Sequence, residues 1–198
     1  MPSLENPRRI SEIEAVNIIL KNAGEAPVIS LGTDARYSAQ KARDTLAEQS
    51  ILVQSDGWNF CTEREMTLRP DGITGEIILP VNILSFQPVG RSAAMSLQED
   101  GNRLYDAEGR TFKFDLAVTV EAVLAKPFDS LPQPARWFIT VGAALRYANS
   151  ENPGGANIRL TVEDLTNAEA SLKRYDRRLL KGGLRVHNPH FKRLRGRR

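Results

Sequence analysis

From Phe112 to Leu124 every even-numbered residue is apolar (Phe112, Phe114, Leu116, Val118, Val120, Ala122, Leu124), while Lys113, Asp115, Thr119 and Glu121 stand between them. That period of two is the mark of a half-buried strand, or of two strands joined at a bend. Both flanking regions have a helical period instead. A chain that changes period twice excludes all-helical and all-β folds.

The first helix is predicted over about 11–23. Ser11 and Glu14 form a Ser-x-x-Glu capping box, Ile13, Val16, Leu20 and Ala23 follow at helical spacing, and Gly24 supplies the stop. A second helix, capped by Asp34, carries Ala35, Ala39, Ala42 and Leu46 on one face until Asp56-Gly57 ends it. Beyond Pro127 and Pro132 a third helix places Trp137, Val141, Ala144 and Leu145 on one side and is broken by Asn152-Pro153-Gly154-Gly155. Thr161 with Asp164 opens a fourth, in which Leu165, Ala168, Leu172, Tyr175 and Leu179 alternate at spacings of three and four. Further strands are expected at Ile73–Leu79, Ile83–Phe86 and Asn102–Tyr105, between Asp71-Gly72, Pro80, Pro88, Asp100-Gly101 and Glu108-Gly109.

The expected architecture is α+β: a four-helix bundle made of 1–56 and 129–181, an antiparallel β domain at 57–128, and a basic tail at 182–198 with no fold of its own. Neither helix pair alone covers its apolar face, so the two halves must meet. Trp58 and Phe60 alternate onto one face where helix gives way to sheet, and are expected to seal the bundle against the β domain. Pro127 and Pro132, on either side of Phe128, are expected to fix the angle of return.

Charge is divided unevenly along the chain. Residues 173–198 hold eleven Lys or Arg against Asp176 alone, a net of +10; as the whole chain carries +3, residues 1–172 carry −7. The basic end has three readings: an arm that binds nucleic-acid phosphates, an arm that orders in an acidic groove of a protein partner, or a solubilising tail. Leu184, Val186, Phe191 and Leu194, interleaved with the cations, favour protein docking. The docking candidates are Arg174, Arg177, Arg178, Lys181, Arg185, Phe191, Lys192, Arg193 and Arg195.

Hydrophobic residues are 41% of 198, enough for a core without disulfide or metal. The single Cys61 permits no intrachain disulfide and is expected to be a buried thiol. His187 and His190 have a metal-compatible spacing but lie among cations, so no metal and no cofactor is expected. Nucleophile-elbow, phosphate-loop, dinucleotide and His-Glu-x-x-His motifs are absent. The carboxylate pairs Glu63/Glu65 and Glu99/Asp100 leave a polysaccharide hydrolase as a remote alternative; chance pairing of surface acids explains them better. No run approaches the ~18 apolar residues of a membrane span. The first ten residues carry Pro2, Glu5, Pro7, Arg8 and Arg9 where a signal peptide is apolar, so synthesis in the cytosol is expected.

Several segments occur in a collinear order that resembles the tail tubular protein A family, the adaptor between portal and tail nozzle in short-tailed bacteriophages. Ala15-Val16-Asn17-Ile18-Ile19-Leu20 with Gly24-Glu25-Ala26-Pro27-Val28 is similar to the family's opening helix and turn. Gly57-Trp58-Asn59-Phe60-Cys61-Thr62-Glu63 resembles its Gly-Trp-x-Phe-x-Thr-Glu signature, and Gly75-Glu76-Ile77-Ile78-Leu79-Pro80-Val81-Asn82 its Gly-x-Ile-x-Leu-Pro-x-Asn element. Leu104-Tyr105-Asp106, then Pro127-Phe128-Asp129-Ser130-Leu131-Pro132 and Arg136–Ala144, complete the series. The resemblance implies a non-enzymatic virion protein that forms a ring, of twelve copies if the family symmetry carries over. Its implied partners are the portal and the nozzle protein, with genomic DNA passing through unread. The alternative is a DNA-binding protein acting through its basic end.

Overall fold

The computed structural model describes residues 9–32, 35–151 and 159–187, with backbone alone over 181–187. The fold is mixed α+β, with four helices and small antiparallel sheets among the described residues. It divides into two compact units: residues up to Val53 together with those from Pro127 onward, and Gln54–Lys126.

In the helical unit, α1 (Glu12–Asn22) starts at the capping box, where the Ser11 amide donates to the Glu14 carboxylate at 2.8 Å and the Glu14 amide to the Ser11 hydroxyl at 3.4 Å. It ends at Ala23, and Gly24 takes φ +80°, a region open to glycine without steric cost. Its apolar face (Ala15, Val16, Ile19, Leu20) is fully buried. The second helix, α2 (Tyr37–Ser55), buries Ala39, Ala42 and Leu46 as expected. Ala35 lies ahead of it rather than on its face, and the cap assigned to Asp34 falls outside the described residues.

Next, α3 (Gln133–Glu151) packs against α1 and against α4 (Val162–His187). Its expected face is too narrow: Val141 and Ala144 are buried, but so is every residue from Ile139 to Ala144, while Trp137 and Leu145 are half-buried. Six buried residues in succession wrap more than one and a half turns, so neighbours cover the middle of α3 all round. The expected breaker Asn152-Pro153-Gly154-Gly155 lies outside the described residues.

The tail expected to lack a fold from residue 182 is corrected: α4 runs unbroken through Gly182-Gly183 to His187. Two glycines cost about 2 kcal/mol of helix propensity relative to alanine, which twenty preceding helical residues offset by cooperativity.

In the second unit, β5 (Val118–Leu124) is the central strand of the order β1-β5-β2, with β1 (Thr62–Leu68) and β2 (Ile83–Pro88) antiparallel on either side; β3 (Leu97–Asp100) and β4 (Arg103–Asp106) make a separate hairpin. The hairpin closes through Gly101-Asn102, with Gly101 at φ +65°. Val118, Val120 and Ala122 on β5 pack with Leu68, Ile77, Leu79, Leu104 and Phe114 into one core.

Two expectations fail here. The period-two run from Phe112 is strand only from Val118; before it, Thr111 and Lys113 make isolated bridges and Leu116 is 79% exposed. The strand expected at Ile73–Leu79 is also reduced to bridges at Glu76 and Ile78. Its beginning is drawn into a turn by Asp71, whose carboxylate accepts from the amides of Ile73 (3.0 Å) and Thr74 (2.9 Å) and from the Thr74 hydroxyl.

Candidate assembly interface

The basic face is carried by α4. Thr161 caps it reciprocally: its amide and hydroxyl donate to the Asp164 carboxylate (2.8 and 2.9 Å), and the Asp164 amide donates to the Thr161 hydroxyl at 3.2 Å. Those bonds favour the ionised carboxylate and hold Asp164 below its ordinary pKa. At 100° per residue, Leu165, Ala168, Leu172, Tyr175 and Leu179 form one stripe, and positions 174, 177, 178, 181 and 185 the opposite face. Ala168 and Leu172 are buried, Leu165 and Tyr175 half-buried, and everything from Arg177 to Leu180 exposed. Among the described side chains of α4, burial is thus confined to residues up to Asp176.

Of the docking candidates, Arg174, Arg177 and Arg178 are exposed on the face turned away from that packing. Lys181 and Arg185 lie on the helix by backbone position, and Phe191, Lys192, Arg193 and Arg195 fall outside the described residues. Lys173, exposed, pairs with Glu169 one turn earlier.

Polar residues that sequence reasoning passed over hold the helical unit together. Asn22, 2% exposed, donates from Nδ2 to the Ala144 carbonyl of α3 (3.1 Å) and accepts at Oδ1 from the amides of Arg159 (3.0 Å) and Leu160 (2.8 Å), just ahead of α4. Arg136, 5% exposed, gives its guanidinium to the Leu131 carbonyl (2.8 Å), the Ile10 carbonyl (2.6 Å) and the Asp129 carbonyl, and lies 5.8 Å from the centre of the Phe128 ring. Burial pushes its pKa down, and Asp129 opposes that shift. The segment from Pro127 through Phe128 to Pro132 therefore curls around one buried cation. An Arg in a helix's first turn among apolar neighbours, and an Asn in a helix's last turn, were the available signals.

Trp58 and Phe60, expected at a domain junction, both belong to the second unit and are half-buried. Beside them, Gln54 pairs with Lys126 in both directions: its Nε2 donates to the Lys126 carbonyl at 3.1 Å and its Oε1 accepts the Lys126 amide at 2.8 Å. Lys126 Nζ also donates to the Phe60 carbonyl at 2.6 Å. First and last residues of the unit are thereby joined. Cys61 is buried, its sulfur 3.2 Å from the Trp58 carbonyl oxygen.

The carboxylate pairs do not form a site. Glu63 and Glu65 flank a bulge in β1, where one extra residue opposes β5, and are exposed, as are Glu99 and Asp100 on β3. Among the described residues no group of three or more His, Cys, Asp or Glu could hold a metal ion. No helix among them is long and apolar enough to cross a membrane.

Fold and surface define a class first: a mixed α+β protein whose buried polar groups join its own helices and whose exposed cations lie along its last described helix. The family model for the tail tubular protein matches residues 13–181, and the chain belongs to that family. It is a structural component of the phage tail, and its family is not enzymatic. No curated protein matches the sequence significantly.

Proposed function

We propose that the protein is the head-to-tail adaptor: a ring of identical copies, twelve if the symmetry of the family holds, between the portal and the tail nozzle, lining part of the channel through which DNA leaves. The cationic face of α4 carries this reading. Arg174, Arg177 and Arg178 project together opposite the packed stripe, and Lys181 and Arg185 continue the row along the helix toward Phe191, Lys192, Arg193 and Arg195. Such a row suits bidentate contacts with acidic grooves of a portal. The helices would act as a bundle making lateral contacts, with Trp58, Phe60, Pro127, Phe128 and Pro132 at its junction with the β domain. Ring closure requires heterologous contacts, a different face toward each neighbour.

The division of charge agrees with a channel. A body of −7 facing the lumen repels phosphate and lets DNA slide, while the +10 segment is occupied by protein. The rival reading uses the same cations to bind DNA. A variant with Arg174→Glu, Arg177→Glu and Arg178→Glu, all at exposed positions, separates the two. The adaptor reading expects a folded protein that no longer attaches to portal-bearing heads, with duplex-DNA affinity weak and unchanged at physiological salt. Unchanged attachment, or tight DNA binding in the unaltered protein with a steep salt slope, would overturn it.

A further inference from the structure

A hydrogen-bond donor without an acceptor lies in a groove of the helical unit. The groove has a volume of 670 Å³ and runs over α3 between α2 and the start of α4. Leu145, Leu160, Val162 and Leu165 give it apolar walls, and the buried Gln49 and Gly142 form its deepest part. Gln49 is 8% exposed, and only the oxygen of its amide is engaged. Oε1 accepts from Arg146 Nη1 at 3.3 Å, which fixes the orientation of the amide, since the flipped group would turn N–H toward a guanidinium. Nε2 then lies over Gly142 and donates to none of the described residues. Every side-chain nitrogen or oxygen sealed from solvent has a partner among those residues, so Nε2 is reached from the groove.

Charge in the groove has one sign. Among its described lining residues Arg146 alone is ionisable, and no carboxylate lines it. The guanidinium meets Glu48 only at 3.4 Å, between side chains 50% and 66% exposed, an ion pair that water nearly cancels. Most of its N–H groups stay available. Acceptors are scarce by contrast: Gln49 Oε1 takes Arg146, and the Thr161 hydroxyl is used in the α4 cap. A ligand that fills this groove therefore needs an apolar body and acceptors, and gains nothing from donors. We propose that the groove is a binding site for an aliphatic carboxylate, its chain against Leu145, Leu160, Val162 and Leu165 and its head accepting from Gln49 Nε2 and the Arg146 guanidinium. The volume falls within the ~300–1,000 Å³ of small-ligand sites. A peptide segment, whose amides are donors, fits less well.

Equilibrium dialysis of the full chain against radiolabelled decanoate tests the site. Saturable uptake of one decanoate per chain is expected, with decylammonium, which has the same chain and donors only, binding at least roughly tenfold more weakly. Two variants probe the head contacts. Arg146→Met, at an exposed position, and Gln49→Glu, which exchanges the free donor for an acceptor, are each expected to weaken uptake at least roughly tenfold with unchanged circular dichroism. Uptake that is absent, that does not saturate, that treats both amphiphiles alike, or that is unchanged in Arg146→Met would overturn the proposal. Binding of the peptide acetyl-Leu-Ala-Glu-Leu-amide with no uptake of decanoate would also overturn it, in favour of a protein segment.

Discussion

The side-chain amide of Gln49 lies where a methyl group on Gly142 would stand: a Cβ at residue 142 would meet Gln49 Nε2 at 2.8 Å and Cδ at 3.1 Å. Gln49 is buried, and its Oε1 accepts from Arg146 Nη1 at 3.3 Å, so the amide is held from its other side. Gly142 in mid-helix gives up about 1 kcal/mol of propensity to make room on α3 for the Gln49 side chain of α2. Gly142→Ala is therefore expected to be net destabilising by about 1 kcal/mol, overpacking exceeding the propensity gain. In the Gln49→Ala background the same substitution should stabilise, and a double-mutant cycle by urea unfolding measures the reversal.

Asn22 joins three segments through one amide. Asn22→Ala strands the amides of Arg159 and Leu160 and removes the donor to Ala144. Buried groups left without partners cost about 1–3 kcal/mol each, so a loss of about 3 kcal/mol is expected, read as a lower urea midpoint with unchanged slope. Asn22→Asp keeps only the acceptor and buries a charge, and should lose at least as much.

Burial, together with the hydrogen bond that the Tyr147 hydroxyl donates to Glu25 at 2.8 Å, pushes the Tyr147 phenol far above its ordinary range. A group whose folded pKa is raised contributes stability fully below its unfolded pKa, ~10 for tyrosine, and loses it as pH rises further. The unaltered protein should thus lose melting temperature steeply from pH 10 upward. Tyr147→Phe should be less stable at pH 8 by about 1 kcal/mol, the hydrogen bond lost, and should show a shallower alkaline decline.

Asp71 sits at the other end of the pH scale. Bonds from the Thr74 and Ile73 amides, and then the Thr74 hydroxyl, favour its ionised form and lower its pKa. With a depressed folded pKa, the turn it builds is intact above the unfolded value of ~3.9 and opens as pH falls through the folded one. Amide exchange at Ile73 and Thr74, corrected for intrinsic rate, should accelerate in acid and be fast at neutral pH in Asp71→Ala.

Local chemistry was legible in the sequence and distant chemistry was not. Both capping boxes, Ser11 with Glu14 and Thr161 with Asp164, were readable because each lies within four residues. Strand β1 was missed because its bulge between Glu63 and Met66 breaks the period of two, and Ile73–Leu79 was overextended because Asp71 takes its first amides. The roles of Asn22, Gln49, Gln54 and Arg136 depend on partners that are mostly distant in sequence: Arg136 reaches back 126 residues to the Ile10 carbonyl, and no local pattern encodes that. On the candidate interface, the position of the cations was visible from charge alone, while the continuation of α4 through Gly182-Gly183 was hidden by two residues that usually end a helix.

Electron microscopy of the full-length protein mixed with its portal tests the adaptor reading most directly. A ring of this protein seated beneath the portal, with the basic faces of its α4 helices turned to the portal surface, is the predicted result. Portal particles left bare while the protein stays as free monomers or coats added DNA would contradict it.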